Sequence, residues 1–261
     1  PPRSTLFPYT TLSRSPYSSS YPREVDYAQF RSIADEVGAL TMADVSHVGG
    51  LIAGGALANP LDTGFDIVTT TTHKSLRGPR GGMILCKSKL AQKIDQAVFP
   101  GMQGGPHMNA VAGIAVTLKL AAQPAFRAYA KQVLSNASAL AKELQQRGCT
   151  LITGGTENHL MVVDTIKSFG IDGRVAEKAL DDAGLTVNKQ VIPDDPHPPL
   201  RPSGIRLGTP ALTTRGMKES EMSHVAQWMV EAMQSHSSTA KLEELRAAVR
   251  TLCRRFPVPG L

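Results

Sequence analysis

The sequence predicts a mixed α/β chain in two parts. A layered α/β region covers about residues 21–123, and a smaller α+β region covers about 124–261. Three observations carry this. Short runs rich in β-branched residues alternate with helical stretches up to Ala122. Glycine-bearing loops follow those strands at 49–55, 78–82 and 101–105. Pro124 then punctuates the chain, and long amphipathic helices around a few strands follow it.

The elements are justified in order. Asp26 can cap a helix with apolar positions at Tyr27, Phe30, Ile33, Ala34 and Val37, which Gly38 closes. Ala39–Val45 reads as a buried strand, Asp66–Thr72 as a second and Met83–Lys87 as a third. Helices are expected over about 88–98 and 107–122. Beyond Pro124 an amphipathic helix is expected over about 125–147, ending at Gly148. Strands Thr150–Thr153 and His159–Thr165, a helix over about 172–183 and strand Gly204–Gly208 follow. Two helices close the chain, near 214–234 and 238–255. The last puts Leu242, Leu245, Val249 and Leu252 on one stripe, so its arginines read as a solvated face. Residues 1–20 stand apart. Ten of them are Ser or Pro, and they are expected to be a segment foreign to the protein or a disordered tail.

The formal charge of +6 invites a nucleic-acid reading. Its distribution argues against that. Residues 1–20 hold +2, residues 236–261 hold +3, and the body between them only +1. Hydrophobic residues make up 41%, which excludes wholesale disorder. No apolar run approaches the roughly 20 residues that span a bilayer. No secretory leader is visible, so a cytoplasmic protein with no membrane and no nucleic-acid partner is expected. Cys86, Cys149 and Cys253 have no metal-binding spacing and read as reduced thiols.

Four stretches carry chemistry. In the run Thr69–Gly82, Lys74 sits just beyond a β-branched strand, at the edge where α/β sheets bind ligands. A lysine there can be a nucleophile for a carbonyl; it can equally be a surface lysine. Asp44, with Ser46 and His47 after it, ends the preceding strand. A lysine and an aspartate on neighbouring parallel strands are the pair that pyridoxal phosphate needs, one for its aldehyde and one for its ring nitrogen. Asp44 could instead be a turn residue, and His47 a structural histidine. Phe99–Pro106, with Gly104 and Gly105, could form a backbone nest for a phosphate, or only a turn. In Ser203–Pro210, Arg206 lies between glycines and could hold a carboxylate bidentately, or form a surface ion pair.

Taken together, these stretches resemble the serine hydroxymethyltransferases, pyridoxal-phosphate enzymes of fold type I, the aspartate-aminotransferase-like class. The resemblance covers about residues 18–261. It rests on the TTTTHK run continuing to GPRGG, the D-x-x-H element, the VFPG-x-QGGP loop, Val187-Asn188-Lys189 before a Pro-rich loop, and SGIRLGTPALTTRG. The resemblance implies that 21–123 is the C-terminal part of the large cofactor-binding domain and 124–261 the small C-terminal domain. Lys74 would hold pyridoxal phosphate as a Schiff base and Asp44 would face its ring nitrogen. His47 and Ser19 match positions near the ring hydroxyl, and Thr71 and His73 flank the lysine. Gly104 and Gly105 match a loop that approaches the phosphate in a partner subunit, so a homodimer, or a dimer of dimers, with shared sites is implied. Arg206 would hold the carboxylate of serine or glycine. Gln190 and the stretch Pro198-Pro199-Leu200 match positions near tetrahydrofolate. The implied reaction moves the hydroxymethyl carbon of serine to tetrahydrofolate, giving glycine and 5,10-methylenetetrahydrofolate in one-carbon metabolism.

Two positions depart from the family's pattern. Ser46 stands where a small apolar residue is usual, and Gln190 where asparagine is usual. The chain is expected to be the C-terminal portion of a longer protein. The absent half would supply phosphate ligands, a stacking aromatic and the proton-handling glutamate, so this chain by itself is expected to be inactive. The competing readings are another fold type I enzyme, such as a threonine aldolase, and a non-catalytic gene fragment.

Overall fold

The computed structural model describes residues 20–260. The expectations for residues 1–19, Ser19 among them, lie outside the described residues. The fold is mixed α/β. It divides into two compact units, Glu24–Ala130 (unit 1) and Ser20–Arg23 with the chain from Lys131 onward (unit 2).

Unit 1 opens with α1, Tyr27–Glu36. The Asp26 carboxylate accepts a hydrogen bond from Gln29 N at 2.9 Å, the local cap its position suggests. Gly38 takes the left-handed conformation, φ 64°, that ends the helix. Strands β1 (Met42–Asp44), β2 (Ile67–Thr71) and β3 (Gly82–Cys86) form a sheet in that order. β1 and β2 are parallel, with Met42 opposite Ile67 and Asp44 opposite Thr69. β3 returns antiparallel, with Thr71 opposite Gly82. Tyr27, Val45, Phe65 and Val68 are buried together between α1 and the sheet.

The crossover between β1 and β2 corrects one expectation. Residues 49–55 read as a glycine loop, but Gly49–Ala53 form a short helix, α2. The glycines serve close approach. A Cβ on Gly49 would lie 2.4 Å from Thr70 Oγ1, and one on Gly50 would lie 2.2 Å from the Ser75 carbonyl oxygen.

Asp66 is buried at the foot of β2. It accepts from Thr41 N at 3.0 Å, Arg31 Nη1 at 2.9 Å and Lys87 Nζ at 3.0 Å, tying α1 to all three strands. Burial alone would raise its carboxyl. The Thr41 amide, Lys87 and Arg31 outweigh burial and hold it at about 2.

Helix α3 covers Ser88–Gln96, two residues shorter than expected, because Ala97–Met102 is a wide irregular turn with extended backbone at Phe99. Helix α4, Met108–Ala121, rests Gly113 and Thr117 on the loop after β2. A Cβ on Gly78 would lie 2.7 Å from Thr117 Oγ1.

Helix α5, Pro124–Gln146, starts in unit 1 and continues into unit 2. Unit 2 adds an antiparallel sheet in the order β4 (Thr150–Leu151), β5 (Leu160–Asp164), β7 (Gly204–Gly208), β6 (Asn188–Gln190). Its helices are α6 (Thr165–Phe169), α7 (Gly173–Asp182), α8 (Pro210–Thr214), α9 (Glu219–Gln234) and α10 (Thr239–Arg255). β4 is shorter than expected because Thr153 turns out of the strand at φ 63°. Leu144, Met161, Leu180, Ile205, Met222 and Met233 are fully enclosed in one continuous core. Leu242, Leu245, Val249 and Leu252 are buried as their stripe predicts, and Arg246, Arg250 and Arg254 stand in solvent. Among the described residues, no helix is long and apolar enough to cross a membrane.

Candidate functional site

Because β1 and β2 are parallel, their C-terminal ends share one edge of the sheet. Asp44 is the last residue of β1, and Lys74 follows β2 by three residues. That edge is where an α/β sheet receives ligands.

A chain of hydrogen bonds shapes the edge. Asp44 Oδ1 accepts from Ser46 N at 2.9 Å and from Ser46 Oγ at 2.6 Å. The Ser46 carbonyl accepts from Thr71 Oγ1 at 3.2 Å, tying the Asp44 turn to β2. The Ser75 hydroxyl donates to the His47 carbonyl at 2.7 Å and accepts from Gly50 N at 2.9 Å. Ser75 therefore locks the residue after Lys74 onto α2, and Gly50 leaves room for it. Asp44, Ser46, His47 and Thr71 thus belong to one bonded frame, with His73 and Lys74 in the turn beside it.

The turn holding Lys74 is closed on itself. Arg77 N donates to the Lys74 carbonyl at 2.9 Å and Gly78 N to the Thr72 carbonyl at 2.8 Å. Thr72 Oγ1 donates to the Pro79 carbonyl at 2.7 Å. Arg77 carries the left-handed φ of 62°, and its guanidinium lies 4.4 Å from the Tyr129 ring centre. Lys74 is half-buried, and His73 Nδ1 is buried with no hydrogen-bond partner among the described residues.

The donor set suits pyridoxal phosphate. It offers an amine for an aldehyde, a carboxylate for a ring N–H, and an imidazole nitrogen whose partner is still to be supplied. Gly104 and Gly105 are not drawn into this frame. Both are exposed, and a Cβ on either would meet nothing within 4 Å.

The residues expected to face substrate and folate lie in unit 2. Arg206 is on β7, opposite Val162 on one side and Asn188 on the other. Its Nη2 donates to Asn188 Oδ1 at 3.3 Å, and burial lowers the guanidinium from its ordinary value. Gln190 Nε2 donates to the adjacent Val191 carbonyl at 2.9 Å, and Pro198, Pro199 and Leu200 are exposed.

Sequence reasoning passed over the network that holds this loop. Asp195 accepts from Ser203 Oγ at 2.6 Å and from the amides of Ser203, His197 and Ile192. His197 Nδ1 lies 2.8 Å from Ser203 Oγ. Since that hydroxyl donates to Asp195, the imidazole nitrogen is the donor to it. Burial would raise the Asp195 carboxyl, but these bonds hold it well below the usual carboxylate range. Only the paired Asp194-Asp195 beside prolines hinted at such a turn.

A family model described as serine hydroxymethyltransferase matches residues 16–229. Three curated relatives, each named "Serine hydroxymethyltransferase", are 51% identical to this chain. The Sorangium cellulosum protein matches over 244 residues, 94% of this chain and 57% of its own length. The Acidobacterium capsulatum protein matches over 242 residues, 93% of this chain and 56% of its own length. The Desulfotalea psychrophila protein matches over 243 residues, 93% of this chain and 57% of its own length. The chain thus spans little more than half the length of the curated relatives it matches. It belongs to the serine hydroxymethyltransferase family.

Proposed function

We propose that this chain carries the Schiff-base side of a glycine hydroxymethyltransferase site. That enzyme reversibly transfers the serine hydroxymethyl carbon to tetrahydrofolate, leaving glycine and 5,10-methylenetetrahydrofolate. The observation that carries the proposal is the juxtaposition of Asp44 and the Lys74 turn on one edge of a parallel strand pair, bonded through Ser46, Thr71 and Ser75.

Bound there, pyridoxal phosphate supplies an electron sink for negative charge at the substrate's α-carbon. The residues of this chain do the rest of what is assigned here. Lys74 holds the cofactor covalently through its amine. Asp44, fixed by two bonds from Ser46, accepts the ring N–H. His47, Thr71 and His73 line the same edge, and Arg206 orients the substrate carboxylate. Gln190 and the stretch Pro198-Pro199-Leu200 border the folate. Gly104 and Gly105 serve the cofactor phosphate of a second subunit, in a homodimer of a cytoplasmic, fold type I enzyme. The large domain contributes about 21–123 and the small domain about 124–261. The chain alone is inactive, because the proton-handling and phosphate-binding groups belong to the rest of the family's length.

Two measurements test this. Purified chain titrated with pyridoxal phosphate should develop the absorbance band of a lysine-bound cofactor, and Lys74→Ala should abolish it. A band of equal size in the variant would assign the lysine wrongly. Serine-to-glycine conversion with tetrahydrofolate should be at background for the isolated chain; near-normal turnover would overturn the claim of inactivity.

A further inference from the structure

We propose that Arg77, stacked on Tyr129, is a positioning residue for Lys74: it pins the turn that carries the lysine to the first turns of α5. What the turn is for rests on the functional reading above; that the stack holds it rests on geometry.

The backbone gives the first reason. The turn after β2 closes when Arg77 N donates to the Lys74 carbonyl at 2.9 Å and Gly78 N to the Thr72 carbonyl at 2.8 Å. Closure puts Arg77 at φ 62°. A residue with a Cβ resists that conformation, and glycine adopts it freely. Strained backbone persists only where its surroundings over-determine it. Arginine stands at this position, so what its side chain touches has to outweigh the strain.

The side chain meets two aromatic rings. Phe126 and Tyr129 are three residues apart on α5, and so share one face of the helix. Their ring centres lie 5.6 Å apart. The Arg77 guanidinium lies 4.4 Å from the Tyr129 centre and 5.9 Å from that of Phe126. Both fall within the roughly 6 Å over which a ring face attracts a cation. Leu76, the preceding residue, is buried with Ala121 and Phe126, and Tyr129 packs against that cluster.

The turn is thus held from two sides. Ser75 binds it to α2 through Gly50 N. Leu76 and Arg77 bind it to α5. The two helices brace each other, since a Cβ on Gly54, which ends α2, would lie 2.4 Å from the Ala130 Cβ. Ser75 and Leu76 are buried, and Arg77 is exposed. The guanidinium can therefore be removed without opening a buried void. Freedom gained by this turn passes to the Lys74 amine, which has to reach a single carbon of its cofactor.

The test is a double-substitution cycle in this chain: Arg77→Ala, Tyr129→Leu and the two together, with Tyr129→Phe as the conservative variant. Arg77→Ala keeps a Cβ, so the backbone strain is the same as in the parent. Hydrogen exchange at the Gly78 amide, without cofactor, reads opening of the turn. Titration with pyridoxal phosphate, followed by the lysine-bound absorbance band, reads affinity. A stack on an exposed cation is worth about two- to fivefold in an equilibrium. Each single change should speed Gly78 exchange and weaken the cofactor by about that factor, and the pair by no more than either alone. Tyr129→Phe keeps the ring face and should exchange like the parent. Effects that multiply in the double variant would overturn the proposal, as would Gly78 exchange unchanged in either single variant. Faster exchange with equal cofactor affinity throughout would make the stack a structural contact only, and would overturn the positioning role. A parent chain that forms no band would instead sink the Schiff-base reading, and Gly78 exchange would then decide alone whether the stack holds the turn.

Discussion

Ser46 gives Asp44 two hydrogen bonds, one from its amide and one from its hydroxyl. The hydroxyl explains how a polar residue suits a position where the family resemblance expects a small apolar one. Ser46→Ala keeps the amide bond and loses the other. The expected cost is about 0.5–1.5 kcal/mol in urea denaturation, with the backbone unchanged. Asp66 behaves differently, since it is enclosed among cations. Its folded value of about 2 lies below its ordinary 3.8, so its contribution to stability is complete above about pH 4. That contribution fades as pH falls toward 2. Asp66→Asn should cost about 3 kcal/mol at neutral pH by leaving buried donors poorly matched. It should also flatten the acid limb of a stability–pH curve; an unchanged limb would assign the acid sensitivity elsewhere. The positions of Asp44 and Lys74 were legible because each sits at the end of a recognisable strand. Ser75 and Asp66 were not, because the bonds that define them come from His47, Gly50, Arg31 and Thr41, residues distant in sequence.

At the level of elements, local signals read well and contact-driven ones did not. The cap at Asp26 and the stop at Gly38 involve only neighbouring residues, and α1 lies where they point. The stripe of leucines in α10 is a helix-periodic pattern, and it is buried. Gly49 and Gly50 misled, because glycine is a loop signal in sequence and a close-packing device in this structure. Gly50→Ala should cost about 1–3 kcal/mol of unit 1 stability, read by thermal melting, since the added carbon collides with the Ser75 backbone. The same change should weaken cofactor binding, because Ser75 adjoins Lys74. A melting curve and cofactor affinity both equal to those of the parent would contradict the close approach. β6 went unnoticed for another reason. Asn188–Gln190 is three polar residues long, and only pairing with β7 makes it a strand.

At the level of the molecule, the two units are unequal. Unit 2 has one continuous core from α5 to α10, whereas unit 1 has smaller clusters and the open α4 face. Hydrogen exchange in rising urea should therefore show unit 1 opening at a lower concentration than unit 2. Coincident opening would mean the units unfold as one. The sequence by itself determined the mixed α/β class, most strands and helices, the family, and the position of Asp44 and Lys74 at the C-terminal ends of the parallel strands. These follow from periodicity, caps and contiguous motifs, which are properties of neighbours along the chain. Tertiary structure alone decided that Gly49 and Gly50 begin a helix, that Ser75 and Asp66 anchor the frame, and that Asp195 holds the loop before β7. It also decided that α4 is left uncovered. Those outcomes depend on atoms that become neighbours only when distant segments pack, and a linear pattern carries no record of that distance.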